Sequence, residues 1–337
     1  MSIKICPYPF SRSSFGERVH IPCCSSWLTN EYFSLDHSGP PGKSRAAVSL
    51  RESVLDGSFK YCRRELCKYP LIDISELDTL DDHEVFIGNK EIQQIKDGKF
   101  DQNFPITSLT IEADSRCNLA CPSCRKEPIF KVHPDWDNKM RLELIRYSQV
   151  FKTVKKVKFG GYAEFFFSPL YQELLQALYK LNPCGLREVA ILTNGTLITK
   201  ANFEKLGPAR KLITEINVSI DAGDESTFKN VRDGNWNQLI KNLDFLRELR
   251  LKNEIEKLRF NFVVQKNNLE SVEKFIQLGN LYEVDHIDFT HLLDWQMMKL
   301  DFKENAVHIP EHKHFARYLE LWEKFHSHPK VKWELAI

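Results

Sequence analysis

Long hydrophobic runs are missing from this sequence of 337 residues. No stretch of roughly 18 consecutive apolar residues occurs, whereas a membrane-spanning helix needs about 20. The first residues, MSIKICPYPF, also lack the apolar core of a secretory signal peptide. We therefore expect a soluble, cytoplasmic protein that does not bind a membrane.

An excess of charge of one sign is missing as well. The chain carries 47 basic and 46 acidic residues, so its formal net charge is only +1. Such a balance creates no strong field toward polyanions, and we expect no nucleic acid partner. Internal repeats and low-complexity segments are also absent, which argues against repeat architectures.

The number of cysteines, nine, is odd and bears on disulfides and metal binding. Nine cysteines cannot all pair in disulfides, and in a reducing cytosol clustered thiols suggest a metal site. Three of them, Cys117, Cys121 and Cys124, stand in the string CNLACPSC. A 4Fe-4S cluster normally takes four thiolates, so three can hold it and leave one iron free to bind a substrate or cofactor.

Two other interpretations of these three cysteines are a zinc site and plain buried thiols. Structural zinc takes four ligands, usually in two close pairs, and the nearest histidine, His133, lies nine residues after Cys124. The coordination number therefore disfavours zinc.

Strand-like and helix-like segments alternate along the chain from residue 108 onward. The predicted strands are 108–113, 157–160, 188–193, 215–220, 258–264 and 285–290, and the predicted helices are 138–151, 169–182, 199–207, 236–252, 268–281 and 311–326. This order predicts an α/β fold with a parallel sheet. Six units suit a partial (β/α)6 TIM-like barrel, whose chemistry lies at the carboxyl ends of the strands.

Polar and glycine residues follow several of these strands. Gly160, Gly161 and Glu164 come after the second strand, where glycines allow a ligand close to the backbone and a carboxylate can bind an ammonium group. An ordinary glycine turn with a surface glutamate is the alternative. Asn194 begins an Asn-Gly turn after the third strand.

Ser219 and Asp221 end the fourth predicted strand. As alternate residues they should share one face of that strand, and a hydroxyl beside a carboxylate suits the two hydroxyls of a ribose. The alternative for Asp221 is a turn or helix N-cap residue.

Together these strings, CNLACPSC, FGGYAEF, LTNGT and SIDA, resemble the radical S-adenosylmethionine (AdoMet) superfamily over about residues 105–295. The resemblance implies that a 4Fe-4S cluster is held by the three cysteines. It further implies that the glycine turn and Glu164 hold the methionyl amino group, that Asn194 lies beside AdoMet, and that the SIDA strand holds the ribose. Relatives contact adenine at the positions of Val264 and Asn267. The sequence departs from the superfamily pattern at Ser123, usually aromatic, and at Phe165, usually proline.

The first 70 residues contain five cysteines in a loop-like, Ser/Pro/Gly-rich context: Cys6, Cys23, Cys24, Cys62 and Cys67. So little apolar patterning implies a fold held by a metal or cluster. The segment resembles the SPASM/twitch modules of radical AdoMet enzymes, which implies one auxiliary 4Fe-4S cluster. Cys6, Cys23, Cys62 and Cys67 are the favoured ligands, Cys24 is an open fifth, and zinc held by four cysteines is the alternative.

These interpretations divide the chain into four parts. We predict an N-terminal module over 1–70, a linker over 71–104, the radical AdoMet barrel over 105–295 and a helical extension over 296–337. His291, Asp294 and Trp295 could face substrate after the sixth strand, but no residue is assigned as catalytic. Cys184 is expected to be an ordinary thiol.

The resemblance implies an enzyme that cleaves AdoMet to a 5′-deoxyadenosyl radical, which then removes a hydrogen atom from a substrate. An external one-electron donor such as flavodoxin or ferredoxin is implied. A ribosomally made peptide is the favoured substrate, with epimerisation, crosslinking or oxidation as the outcome. Alternatives are a sugar or aminoglycoside dehydrogenase or epimerase, and a non-catalytic iron–sulfur scaffold or electron carrier.

Overall fold

The computed structural model describes residues 5–16, 19–24, 27–38, 42–64, 67, 77, 79–81, 87–99, 104–146, 148–182, 185–294 and 297–333. The strands are β1 Arg12–Gly16, β2 Val19–Ile21, β3 Ser108–Glu112, β4 Lys156–Phe159, β5 Glu188–Thr193, β6 Glu215–Ser219, β7 Lys257–Val264, β8 His286–His291 and β9 Val331–Trp333.

The α-helices are α1 Tyr8–Ser11, α2 Asn30–Phe33, α3 Arg45–Leu55, α4 Asn89–Lys96, α5 Pro134–Arg146, α6 Ser148–Phe151, α7 Pro169–Leu181, α8 Lys200–Glu204, α9 Glu225–Arg232, α10 Trp236–Leu251, α11 Val272–Leu281, α12 Phe302–Asn305 and α13 Phe315–Phe325. Short 3-10 helices cover Phe165–Phe167, Gly207–Leu212 and Leu269–Ser271.

The strands follow the order β2-β1-β3-β4-β5-β6-β7-β8-β9, and the sheet does not close on itself. Among the strands that the structure describes, β2 alone is antiparallel to its neighbour, and the other eight form an open parallel sheet. All six predicted strands are present. The predicted α/β class with a partial TIM-like barrel is confirmed.

Close contacts divide the chain into two compact units. The first contains residues 1–113, 135–158 and 181–187. In it, β1 pairs with β3 in parallel, from Arg12 opposite Ser108 to Gly16 opposite Glu112. Its described residues form two hydrophobic clusters, one around Phe10 and one around Tyr32.

The second unit contains residues 114–134, 159–180 and 188–337. Strands β5 to β9 run parallel in it. Strand β7 alternates between buried and more exposed residues, so that Leu258, Phe260, Phe262 and Val264 are fully buried. Helix α10 begins at its Asn235 cap and buries leucines at helical spacing, which are Leu239, Leu243, Leu246 and Leu249.

Several elements lie where the sequence showed no periodicity. Helix α3 buries Leu50 and Val54 within the predicted loop-like module, and α4 buries Ile92 and Ile95 within the predicted linker. The predicted division at residues 70, 104 and 295 stays a prediction. No helix among the described residues is long and apolar enough to span a membrane.

Candidate functional site

The three cysteines lie on one closed loop after β3. Cys117 and Ile129 exchange backbone hydrogen bonds of 2.9 and 3.1 Å, which joins the two ends of the loop. A tight turn follows, because the N–H groups of Cys124 and Arg125 both donate to the Cys121 carbonyl. Cys121 is buried, and Cys117 and Cys124 are partly buried.

Each thiol faces hydrogen-bond donors. The Leu119 N–H lies 3.5 Å from Cys117 Sγ, Arg125 Nε lies 3.4 Å from Cys124 Sγ, and an Arg232 nitrogen lies 3.7 Å from Cys121 Sγ. Burial raises the pKa of Cys117 to about 11 and also raises that of Cys121. Donors of this kind stabilise sulfur in its thiolate form, the form that binds metal.

The donor set fits a cluster held by three thiolates in kind and number. The three thiols share one loop, and cationic or N–H donors face all of them. Among the described residues, however, no three His, Cys, Asp or Glu side chains already converge on one point as a metal site would require.

Glu164 is buried and connects two turns. Its carboxylate accepts hydrogen bonds from Thr193 Oγ1 at 2.7 Å, from the Asn194 N–H at 2.6 Å and from the Phe166 N–H at 3.2 Å. Burial raises its pKa, and these three hydrogen bonds oppose that effect. The alternative of a surface glutamate is wrong, since Glu164 is only 2% exposed.

The glycine turn reaches the cysteine loop through the backbone. Gly161 has a φ of +77°, which favours glycine, and the Glu164 N–H donates to the Arg116 carbonyl at 2.9 Å. The Gly160 carbonyl accepts a hydrogen bond from the buried Tyr171 hydroxyl.

Asn194 connects the end of β5 to the same loop. Its amide nitrogen lies 2.9 Å from Asn118 Oδ1 and 3.8 Å from Cys117 Sγ. Gly195 has a φ of +78°, and a Cβ there would lie 2.5 Å from a Leu239 methyl carbon. Glycine is thus required by both conformation and space.

The arrangement around Asp221 differs from the prediction. Strand β6 ends at Ser219, and Asp221 has a left-handed φ of +58°, so it does not continue the alternation that placed both side chains on one face. Its carboxylate accepts the Val263 N–H at 2.7 Å and pairs with Arg232 at 2.7 Å. The N-cap of the following helix is Asp224, not Asp221.

At the ends of β7 and β8, the residues that make polar contacts are partly different from those that the sequence predicted. Val264 is fully buried in the core. Asn267 is exposed, and it is the Asn268 side chain that joins the end of β7 to Asp221, by a hydrogen bond to the Asp221 carbonyl. His291 forms a 2.8 Å hydrogen bond with the Tyr318 hydroxyl. Trp295 and Cys184 lie outside the described residues.

The five N-terminal cysteines belong to the first unit and interact in pairs, but among the described residues no three of them converge on one point. Cys6, Cys23 and Cys67 are buried, while Cys24 and Cys62 are partly exposed. Burial, with the neighbouring Cys67, raises the pKa of Cys62 to about 12. Cys6 interacts electrostatically with Cys62 and Cys67, and Cys23 with Cys6 and Cys24.

A comparison with protein families decides the assignment of the second unit. The model of the Radical SAM superfamily matches residues 113–279, which include the cysteine loop and the turns after β4, β5 and β6. This part of the chain belongs to the radical SAM superfamily. The predicted superfamily and the prediction of an enzyme are confirmed, and membership implies a 4Fe-4S cluster and AdoMet.

The chain is similar to curated members of this superfamily over about two thirds of its length. It is 28% identical over 223 residues to a GTP 3′,8-cyclase of Staphylococcus saprophyticus. This match covers 61% of the chain and 62% of that relative. It is 27% identical over 242 residues to that of Staphylococcus aureus strain JH9, covering 66% of each. The match spans less than two thirds of both relatives.

A solved structure is also similar to the chain. The crystal structure of Streptococcus suis SuiB is 16% identical, with a TM-score of 0.49, and the match covers 86% of this chain and 61% of that one.

Proposed function

We propose that this chain cleaves AdoMet reductively and removes a hydrogen atom from a substrate carbon. The observation that best supports this function is the convergence of side chains on the cysteine loop. Glu164, Asn194 and Arg232 follow different parallel strands. Glu164 contacts Arg116, directly before the loop, and the other two contact cysteines of the loop. The carboxyl edge of a parallel sheet is where such folds bind ligands.

In this proposal Cys117, Cys121 and Cys124 hold the 4Fe-4S cluster. With AdoMet bound, that cluster would supply one electron to the AdoMet sulfonium, and AdoMet itself would then separate into methionine and the 5′-deoxyadenosyl radical. The remaining residues of the site bind and orient AdoMet and keep water away from the reacting atoms.

The AdoMet contacts are proposed from the same geometry. Gly160, Gly161 and Glu164 would take the methionyl amino group, with Asn194 beside it. Ser219 would bind the ribose. The end of β7 at Val264 would lie near adenine, although the Val264 side chain itself is fully buried. Because the Asp221 carboxylate already pairs with Arg232, we assign it the role of orienting that arginine toward Cys121.

A cavity at this edge of the second unit suits the substrate. It has a volume of about 400 Å³ and is lined by Asp294, Met298, Leu300, Asp301, Phe302 and Lys303. The backbone N–H groups of Lys299 and Leu300 donate to the Pro122 carbonyl inside the cysteine loop, at 2.9 and 3.2 Å. The Lys266 N–H donates to the Asn305 carbonyl, which fixes the same segment to the end of β7.

The size and charge of this cavity favour one side chain of a peptide or a similarly small molecule. A peptide therefore remains our preferred substrate, with epimerisation, crosslinking or oxidation as outcomes, and a sugar-like molecule is the second candidate. The relatives' substrate, GTP, is the third. Two carboxylates, Asp294 and Asp301, against one ammonium group, Lys303, make a poor lining for a triphosphate.

For the first unit we propose one auxiliary 4Fe-4S cluster in a SPASM/twitch-like module. Cys6, Cys23, Cys62 and Cys67 are the proposed ligands, with Cys24 as the fifth candidate. The electrostatic interactions among these thiols and the burial of Cys6, Cys23 and Cys67 support the proposal. Zinc held by the same cysteines is the competing possibility.

AdoMet cleavage tests the main proposal. Anaerobically reconstituted protein, reduced by dithionite or flavodoxin, should form 5′-deoxyadenosine slowly without substrate. The alanine variant of Cys117, Cys121 and Cys124 should form none above background, whereas Cys184→Ala, which changes a cysteine in neither set, should match the wild type. Equal rates in the triple variant and the wild type would show that the site is misassigned.

Iron content tests the auxiliary cluster. The wild type should bind about eight irons per chain, and the triple variant about four, with a 4Fe-4S Mössbauer spectrum. If the triple variant contained zinc and no iron, the N-terminal cysteines would form a structural zinc site and the proposed auxiliary cluster would be wrong.

A further inference from the structure

Arg125 is a buried cation at the centre of the cysteine loop. It directly follows Cys124 and is only 5% exposed. One terminal nitrogen donates to the Ser115 carbonyl at 2.7 Å, and the other donates to the Tyr162 carbonyl in the glycine turn. These bonds fix the guanidinium between two segments of the site.

The same guanidinium faces the sulfur of Cys124. Nε lies 3.4 Å and one terminal nitrogen 3.5 Å from Cys124 Sγ, so the planar group presents two N–H bonds to one thiol. Among the described residues, its side-chain acceptors are two carbonyls and this sulfur, and none is a carboxylate. A buried guanidinium without an anion is costly, so this site is built for an anionic sulfur.

Arg232 provides a contrast within the same loop. It approaches Cys121 Sγ at 3.7 Å, but its charge is balanced by Asp221 at 2.7 Å. The Arg232–Asp221 pair is neutral as a whole. Arg232 therefore adds no net charge beside the thiols, because Asp221 balances it. Arg125 adds a positive charge that no carboxylate among its described hydrogen-bond partners balances.

We propose that Arg125 is a positioning residue that supplies the counter-charge for the Cys124 thiolate and thereby raises the reduction potential of the bound 4Fe-4S cluster. This inference rests on the proposed function. A cluster held by thiolates gains one negative charge when it accepts an electron from the external donor, and no bond forms or breaks in that step. A nearby fixed cation stabilises the reduced form more than the oxidised form.

Potentiometric titration of the wild type, Arg125→Gln and Arg125→Lys, followed by electron paramagnetic resonance without substrate, tests this role. In Arg125→Gln the ratio of reduced to oxidised cluster at a fixed potential should fall about tenfold, which is ~59 mV for one electron. Arg125→Lys keeps the charge and should stay near the wild type. Arg247→Gln, which alters an exposed pair with Glu283, is the matched control and should change nothing.

A second variant should shift the reduction potential in the opposite direction. Asp221→Asn leaves the Arg232 charge unbalanced, so its cluster should be reduced more easily than that of the wild type. If Arg125→Gln fails to retain iron while Arg125→Lys retains it, the charge requirement is supported. Loss of iron from both, equal shifts in both, or no shift in either would overturn the inference. A wild type that assembles no cluster would instead overturn the proposed function.

Discussion

At the scale of single residues, Glu164 makes the most specific prediction. Its carboxylate accepts three hydrogen bonds, and all three donors are fixed N–H or O–H groups. In Glu164→Gln one acceptor oxygen becomes an NH₂ group that faces a donor. We expect a loss of about 1–3 kcal/mol in the free energy of unfolding, measured by urea titration.

The control for this change is Glu283→Gln. Glu283 is exposed and pairs with Arg247 on the surface, so its replacement should change stability by less than about 0.5 kcal/mol. Equal effects of the two substitutions would contradict the connecting role of Glu164.

His308 makes a prediction about pH. Burial, together with the neighbouring His291 and His312, lowers its pKa from 6.5 to about 4, and its Nδ1 is buried without a hydrogen-bond partner among the described residues. The unfolded chain then binds a proton that the folded chain does not bind. Its contribution to stability is therefore complete above about pH 6.5 and decreases as the pH falls toward 4.

Urea titrations at pH 7 and pH 5 measure this effect. The loss of stability between the two pH values should be smaller in His308→Gln than in the wild type. An identical loss in both proteins would show that His308 does not titrate differently on folding.

At the scale of elements, helix α9 positions Arg232. Asp224 caps the start of this helix, because its carboxylate accepts the Thr227 N–H at 3.0 Å. The helix ends at Arg232, and Asp233 after it has a left-handed φ. Asp224→Ala removes the cap and should cost about 1 kcal/mol in the free energy of unfolding. Asp224→Asn can still accept that bond and should cost less. An equal cost for both would show that the cap bond contributes little.

The sequence predicted those elements that carry apolar periodicity. Strand β7 and helix α10 bury residues in regular alternation or at helical spacing, and both were predicted to within one residue at each end. Strand β1 was missed because it buries Ser13 and Ser14, which a search for apolar residues does not detect. Strand β9 was missed because three residues are too few to show a pattern.

The candidate site was predictable where its residues form short motifs. The cysteines, the glycine turn and Asn194 are each visible within a few positions of sequence. The partners of the charged groups are not visible, because Arg232 meets Cys121 across 111 positions and Glu164 meets Asn194 across 30. The role of Asp221 could not be predicted, since it depends on a left-handed backbone that ends the strand early.

At the scale of the whole molecule, cysteines are concentrated in two sets, one in each compact unit. The loop in the second unit lies within the part of the chain that matches the superfamily model. The central claim is that the three cysteines there hold a cluster with one iron open to AdoMet.

The most direct measurement of that claim is electron paramagnetic resonance of the reduced protein before and after addition of AdoMet. An open iron changes its ligand when AdoMet binds, so the cluster signal should shift in the wild type and in a variant that lacks the N-terminal cysteines. In the alanine variant of Cys117, Cys121 and Cys124, any remaining signal should not respond. A wild-type cluster signal that stays unchanged at saturating AdoMet would contradict the account.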